Sequence, residues 1–179
     1  MRAAAVAALV ALGSTGRAAR AGAALDVNAI KADMVCSMAK FVQWPDAVMT
    51  QSKGQLVVTI LGEDDLAAAM ASVLSSRSVN GKPVFVRFAR RVQDARGSQI
   101  VYIAASEMSR VDEIVGALQG TPTLTLADAE GFTGHGGMMS FTGVPPHVRF
   151  DISLNRAEHA GLRISSRLLV LARVVDASP

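Results

Sequence analysis

Apolar residues recur every three or four positions from Asp26 to Gln43, at Val27, Ile30, Met34, Met38 and Phe41, with Val35 and Val42 widening the stripe. That spacing predicts an amphipathic helix. Asp26 is placed to cap it, and Pro45 disfavours helical geometry at Trp44, so the helix should end there. The pattern then changes period. Gln55 to Leu61 is a run of Val, Ile and Leu that reads as a buried strand, and Gly62 turns the chain into a helix from Glu63 to Leu74. Three acids, Glu63, Asp64 and Asp65, open this helix, where the helix dipole favours negative charge. Asn80 and Gly81 form a turn into a strand from Pro83 to Phe88.

Ser98 to Ala104 reads as a further strand, and Met108, Val111, Ile114, Val115 and Leu118 share one face of a helix from Glu107 to Leu118. A short strand from Thr123 to Leu126 leads into a glycine-rich stretch, Gly131 to Gly137. Met138 to Thr142, a turn at Pro145 and Pro146, and His147 to Leu154 form a hairpin pattern. In its second strand Val148, Phe150, Ile152 and Leu154 alternate with His147, Arg149, Asp151 and Ser153; the first set should face the core and the second, with His147 and Asp151, solvent. A short helix from Arg156 to Ala160, a stop at Gly161 and a closing helix carrying Leu168, Leu171, Ala172 and Val175 complete the pattern. Strands separated by helices, then a hairpin closed by helices, predict an α/β domain. Its mixed sheet should carry helices on both faces and an antiparallel hairpin near the C-terminus.

The start of the chain is of another kind. Arg2 precedes an apolar run from Ala3 to Leu12, followed by small and polar residues up to Ala21, Gly22 and Ala23. This is the pattern of a secretory leader with an Ala-x-Ala exit, so residues 1–23 are expected to be a cleaved signal peptide and residues 24–179 the folded domain. The leader changes the charge balance. Of the 18 Lys+Arg, Arg2, Arg17 and Arg20 lie in it, and the remaining fifteen equal the 15 Asp+Glu. A basic excess points to nucleic acid or anionic membrane; here it leaves with the leader, so no nucleic-acid partner is expected, and Arg87, Arg90, Arg91 and Arg96 read as a solvated basic face. Half the residues are hydrophobic and 4% aromatic, so aliphatic side chains and Met must fill the core. Cys36 is the only cysteine, which rules out an intrachain disulfide.

Several stretches together resemble the YfiR family. They are Phe41-Val42-Gln43-Trp44-Pro45, the glycine pair Gly136-Gly137 with Met138 and Met139, Phe150-Asp151-Ile152-Ser153, and the closing run of Gly161, Leu162, Ile164, Ser165, Ser166, Leu168 and Leu169. Their order covers almost the whole chain beyond the leader. The resemblance implies a periplasmic regulator that binds and restrains the sensing domain of an inner-membrane diguanylate cyclase or related membrane sensor. It also implies an OmpA-like outer-membrane lipoprotein as a sequestering partner, and a homodimer. Members of that family often carry two cysteines that would staple neighbouring strands; by resemblance those places fall on Thr59 and Ser98, so redox control by that bridge is excluded here. Ser153 stands where relatives tend to have Asn.

Residue constellations that could carry chemistry are weaker. Gly131, Gly134, Gly136 and Gly137 could cradle a phosphate, but no Lys-Ser/Thr pair follows them as in a P-loop; Gly134, Gly136 and Gly137 stay as candidates for a ligand cleft. His135, His147 and His159 with Asp151 and Glu158 match no compact metal motif. Ser140 or Ser165 with His147 and Asp128 could be drawn as a triad, yet there is no Gly-x-Ser-x-Gly elbow. No catalytic, cofactor or metal residue is therefore assigned. Phe41, Trp44 and Pro45 are the candidate protein-contact residues, because exposed aromatics concentrate binding energy. The alternatives to a regulator are a periplasmic small-ligand binding protein and, behind it, a hydrolase.

Overall fold

The computed structural model describes residues 15–143 and 147–175. Its helices are α1 (Thr15–Ala39), α2 (Asp46–Gln51), α3 (Asp65–Leu74), α4 (Val111–Leu118), α5 (Leu154–His159) and α6 (Ser166–Leu169). Its strands are β1 (Val42–Gln43), β2 (Leu56–Leu61), β3 (Ser78–Val79), β4 (Lys82–Ala89), β5 (Ile100–Ile103), β6 (Leu124–Ala127), β7 (Met139–Thr142), β8 (Arg149–Ile152), β9 (Arg163–Ile164) and β10 (Arg173–Val174). Eight strands form one sheet in the order β10-β8-β7-β6-β5-β2-β4-β3, and β1 pairs with β9 as a separate antiparallel ribbon.

Within the large sheet the run β4-β2-β5-β6-β7 is parallel, and β7 turns back antiparallel along β8 through the pairs Phe141 with Phe150 and Ser140 with Asp151. The expected mixed sheet and C-terminal hairpin are both present. The hairpin's turn residues Val144, Pro145 and Pro146 lie outside the described residues, as does the apolar run of the expected leader.

Both faces of the sheet are covered, as the apolar periodicity implied. On one face α1 and α3 bury Val35, Met38, Leu66, Met70 and Leu74 against Val58, Ile60, Ile100, Tyr102 and Leu126. On the other, α4 buries Val111, Ile114 and Leu118 against Leu61, Val101, Ile103 and Ala127. The parallel strands alternate between these two cores, so β5 and β6 are buried along their whole length, which is why they read as unbroken apolar runs.

Several expectations are corrected, beginning with Asp26, which lies within α1 and not at its N-terminus. The first helix ends at Ala39, four residues early, because Val42 and Gln43 are recruited as β1 opposite Ile164 and Arg163. The closing helix does not reach Val175: it stops at Leu169, and Arg173–Val174 instead add a strand beside β8. Leu171 is consequently 67% exposed. Ser153, placed on the solvent face by the same alternation, is 0% exposed, and Asp151, likewise expected to face solvent, is 3% exposed. Its carboxylate is gripped by the Arg173 guanidinium, Nε donating to Oδ1 at 2.8 Å and Nη2 to Oδ2, and this bidentate pair docks the added strand.

Candidate functional site

The five parallel strands have the spatial order 2-1-3-4-5 of their sequence order, with the switch point between β2 and β5. Doubly wound sheets bind ligands in the crevice beyond the carboxyl ends of the strands at that point. Here a cavity of about 520 Å³ lies at those ends, lined by Gly62, Glu63, Phe88, Arg90, Ser106 and Glu107, and beside it the chain's own groups bond one another. Asp64 caps α3 by accepting the Ala67 N–H at Oδ1 (2.6 Å), while its Oδ2 accepts the Tyr102 hydroxyl (2.8 Å) and the Ala105 N–H (2.7 Å). The Glu63 N–H donates to Ser106 Oγ at 2.9 Å. Gly62, at φ +85°, lets the chain turn so closely that a Cβ would lie 2.5 Å from both Glu107 Cγ and Ser106 Oγ. A carboxylate thus stands where this fold elsewhere presents a helix N-terminus to phosphate. Burial, then the hydrogen bond and charge of Asp64, push the Tyr102 phenol well above its ordinary pKa.

The candidate contact residues sit at the opposite end of the strands. Phe41, Trp44 and Pro45 are half-buried and follow α1 through β1. The Phe41 carbonyl accepts the Ser165 N–H at 2.9 Å, fastening the β1–β9 ribbon. Trp44 Nε1 donates to the Gln99 carbonyl at 3.0 Å. Gln99, fully buried, in turn accepts the Val57 N–H (2.7 Å) and donates to the Val48 carbonyl (3.3 Å). The indole is thus anchored by its polar end, and its ring borders a cavity of about 260 Å³ together with Val42, Met49, Leu56, Val79 and Lys82.

The three candidate cleft glycines separate. Gly134 lies in a tight turn, its N–H donating to the Gly131 carbonyl at 2.8 Å. Gly137 is pressed on the buried Phe132 ring; a Cβ there would approach Cε1 to 2.1 Å. Gly136 alone lines a cavity. This cavity, about 320 Å³, lies between α4 and α5 and has Val115, Leu118, Met138 and Ala160 in its walls. Its polar lining includes Thr125, Arg156 and His159. At φ +95° Gly136 lets Arg156 lie across it: a Cβ would stand 3.1 Å from Nη1.

The polar groups around that cavity are unusual. Thr125 Oγ1 accepts the Met138 N–H at 3.0 Å, which leaves its hydroxyl hydrogen to donate elsewhere. Arg156 Nε, Ser153 Oγ and Ser140 Oγ are buried without a hydrogen-bond partner among the described residues. The strand registers place Thr125, Met138 and Ser153 in one row across the sheet, with Ser140 two rows on. Sequence reasoning missed Arg156 because a lone Arg in a six-residue helix looks like any surface charge; only the fold brings it beneath α4.

The remaining constellations do not assemble. His135 Nδ1 lies 2.9 Å from the exposed Asp112, His147 is exposed ahead of β8, and no group of three metal-ligating side chains occurs among the described residues. Asp128 is paired with Lys31 at 2.6 Å and Ser165 Oγ caps α6, while Ser140 has no base hydrogen-bonded to it. Thr59 and Ser98, the positions that resemblance assigned to a disulfide in relatives, do touch: their hydroxyl oxygens are 2.5 Å apart, and Arg87 donates to both. Cys36 is buried and free, and burial raises its thiol pKa, so the reactive thiolate is disfavoured.

A family model described as YfiR/HmsC-like matches residues 28–173. Among solved structures, the chain is similar to a conserved domain protein from Vibrio cholerae O1 biovar El Tor, with a TM-score of 0.50 and 13% identity. The likeness covers 72% of this chain and 57% of that one, so the chain spans little more than half the length of the structure it matches, and the two share a fold. No curated protein matches the chain.

Proposed function

The chain belongs to the YfiR/HmsC-like family, whose members are regulatory proteins, and from that premise we propose that it is a periplasmic regulator restraining an inner-membrane diguanylate cyclase. The observation that carries this reading is the family match, which runs through both cores and the C-terminal hairpin. Residues 1–23 serve as the cleaved leader and residues 24–179 as the exported domain. No helix among the described residues is long and apolar enough to cross a membrane, in keeping with a protein that meets its membrane partner from one side.

The protein acts by binding. To lower cyclic di-GMP output it must prefer the inactive state of the cyclase's sensing domain, because equal affinity for both states shifts nothing. Phe41, Trp44 and Pro45 supply the contact. The half-buried Trp44 ring is anchored on the Gln99 carbonyl, so little of its side-chain freedom is lost on docking. An OmpA-like outer-membrane lipoprotein competes for the regulator, and the regulator pairs with a second copy.

Affinity capture from detergent-solubilised membranes of the host, with the regulator as bait, tests the reading. Recovery of a membrane protein with a cyclase output domain, lost when Trp44 is replaced by Ala, is the expected result. Capture of no such protein from cells that express one contradicts it.

A further inference from the structure

We propose that the cavity between α4 and α5 is a binding site for a small amphipathic carboxylate, with Arg156 as the group that holds the anion. This inference is independent of the cyclase reading. The lining decides the charge of the ligand: it carries Arg156 and His159 and no carboxylate. A guanidinium is always protonated, and Arg156 Nε has neither solvent nor a protein acceptor among the described residues. An unpaired buried donor on a charged group is costly, and a bound anion relieves that cost.

The geometry decides the shape. A cavity of about 320 Å³ admits a body of roughly one ring or a branched chain. Val115, Leu118, Met138 and Ala160 offer that body an apolar wall. Arginine recognises planar carboxylates by parallel N–H donors. Binding requires rotation about the Arg156 Cδ–Nε bond to bring the buried Nε–H round to the carboxylate, and the spare hydrogen of the Thr125 hydroxyl adds a donor. Gly136, at φ +95°, shapes this wall, since a Cβ there would press on Val115 Cγ1 at 3.0 Å and Arg156 Nη1 at 3.1 Å.

The test uses the purified protein and sodium phenylacetate as probe, followed through the arginine Nε–H resonances in ¹H–¹⁵N spectra. The expected result is a saturable shift of the Arg156 resonance with Kd of about 1 mM or tighter. Phenylacetamide, the neutral counterpart, should bind at least about tenfold more weakly, and Arg156→Gln should lose phenylacetate affinity by a similar factor. No saturation by about 10 mM phenylacetate overturns the proposal. So does equal affinity for phenylacetamide, a comparison that needs only the wild-type protein. Undiminished phenylacetate binding by folded Arg156→Gln overturns it as well.

Discussion

The crevice between β2 and β5 and the cavity between α4 and α5 are both places where an α/β sheet could take a ligand, and they are finished in opposite ways. In the crevice every named donor and acceptor is matched: Asp64 alone closes three hydrogen bonds, and Gly62 brings the backbone up against Ser106 and Glu107. In the cavity the Nε of the lining Arg156 goes unmatched among the described residues, as do, outside the lining, the Ser140 and Ser153 hydroxyls. Matched polar networks hold a fold together, whereas unmatched groups beside open volume mark the surface that another molecule can complete. Both places adjoin open volume, but at the switch point the named groups are already bonded to one another, whereas the α4–α5 cavity is lined by an arginine whose Nε has no partner among the described residues.

Substitutions should show that contrast in stability. Asp64→Ala removes a helix cap and strands the Tyr102 hydroxyl and the Ala105 N–H; it should lower unfolding stability by about 3 kcal/mol. A shift in urea midpoint worth under about 1 kcal/mol would mean that the ends of β2 and β5 are not tied together by this network. Gly137→Ala, which drives a methyl into the Phe132 ring, should cost about 2 kcal/mol by overpacking, again read from the urea midpoint. A neutral result would show the wall of the open region to be loose.

The third test is alkaline. Tyr102 keeps its proton in the folded state, since its pKa is raised by burial and by Asp64, while in the unfolded chain the phenol ionises near its ordinary value. Below that value the group adds no pH dependence. Above about pH 10 the unfolded state sheds a proton that the folded state retains, so stability falls by up to about 1.4 kcal/mol per pH unit. Subtracting the profile of Tyr102→Phe isolates this slope, and identical profiles would contradict it. The smallest effect belongs to the open side. Arg156→Met removes a guanidinium whose Nε has no partner to lose, so stability should change by less than about 1 kcal/mol in either direction. A loss as large as that of Asp64→Ala would erase the distinction between the two sites.

The parallel core was legible because its signals are local. β2, β5 and β6 are short apolar runs bounded by glycine or helix starts, and α3 and α4 carry clear stripes. The chain's last part was misread because Leu168, Leu171, Ala172 and Val175 have helical spacing. What overrides that spacing is the ion pair between Arg173 and Asp151, 22 residues apart in sequence. The same limit hid the cavity. Gly136 was legible as a permissive position, but its contact with Arg156 comes from strand pairing between β7 and β8. Trp44 was legible as an unusual residue, while the acceptor of its indole, Gln99, lies on the approach to β5.

Restraint of a membrane diguanylate cyclase should be visible in cellular cyclic di-GMP. The measurement compares the host with a strain lacking the gene and with that strain complemented by the full chain, under conditions in which the cyclase is expressed. Deletion should raise the level, the full chain should reverse the rise, and the Trp44→Ala chain should not. An unchanged level on deletion would contradict restraint.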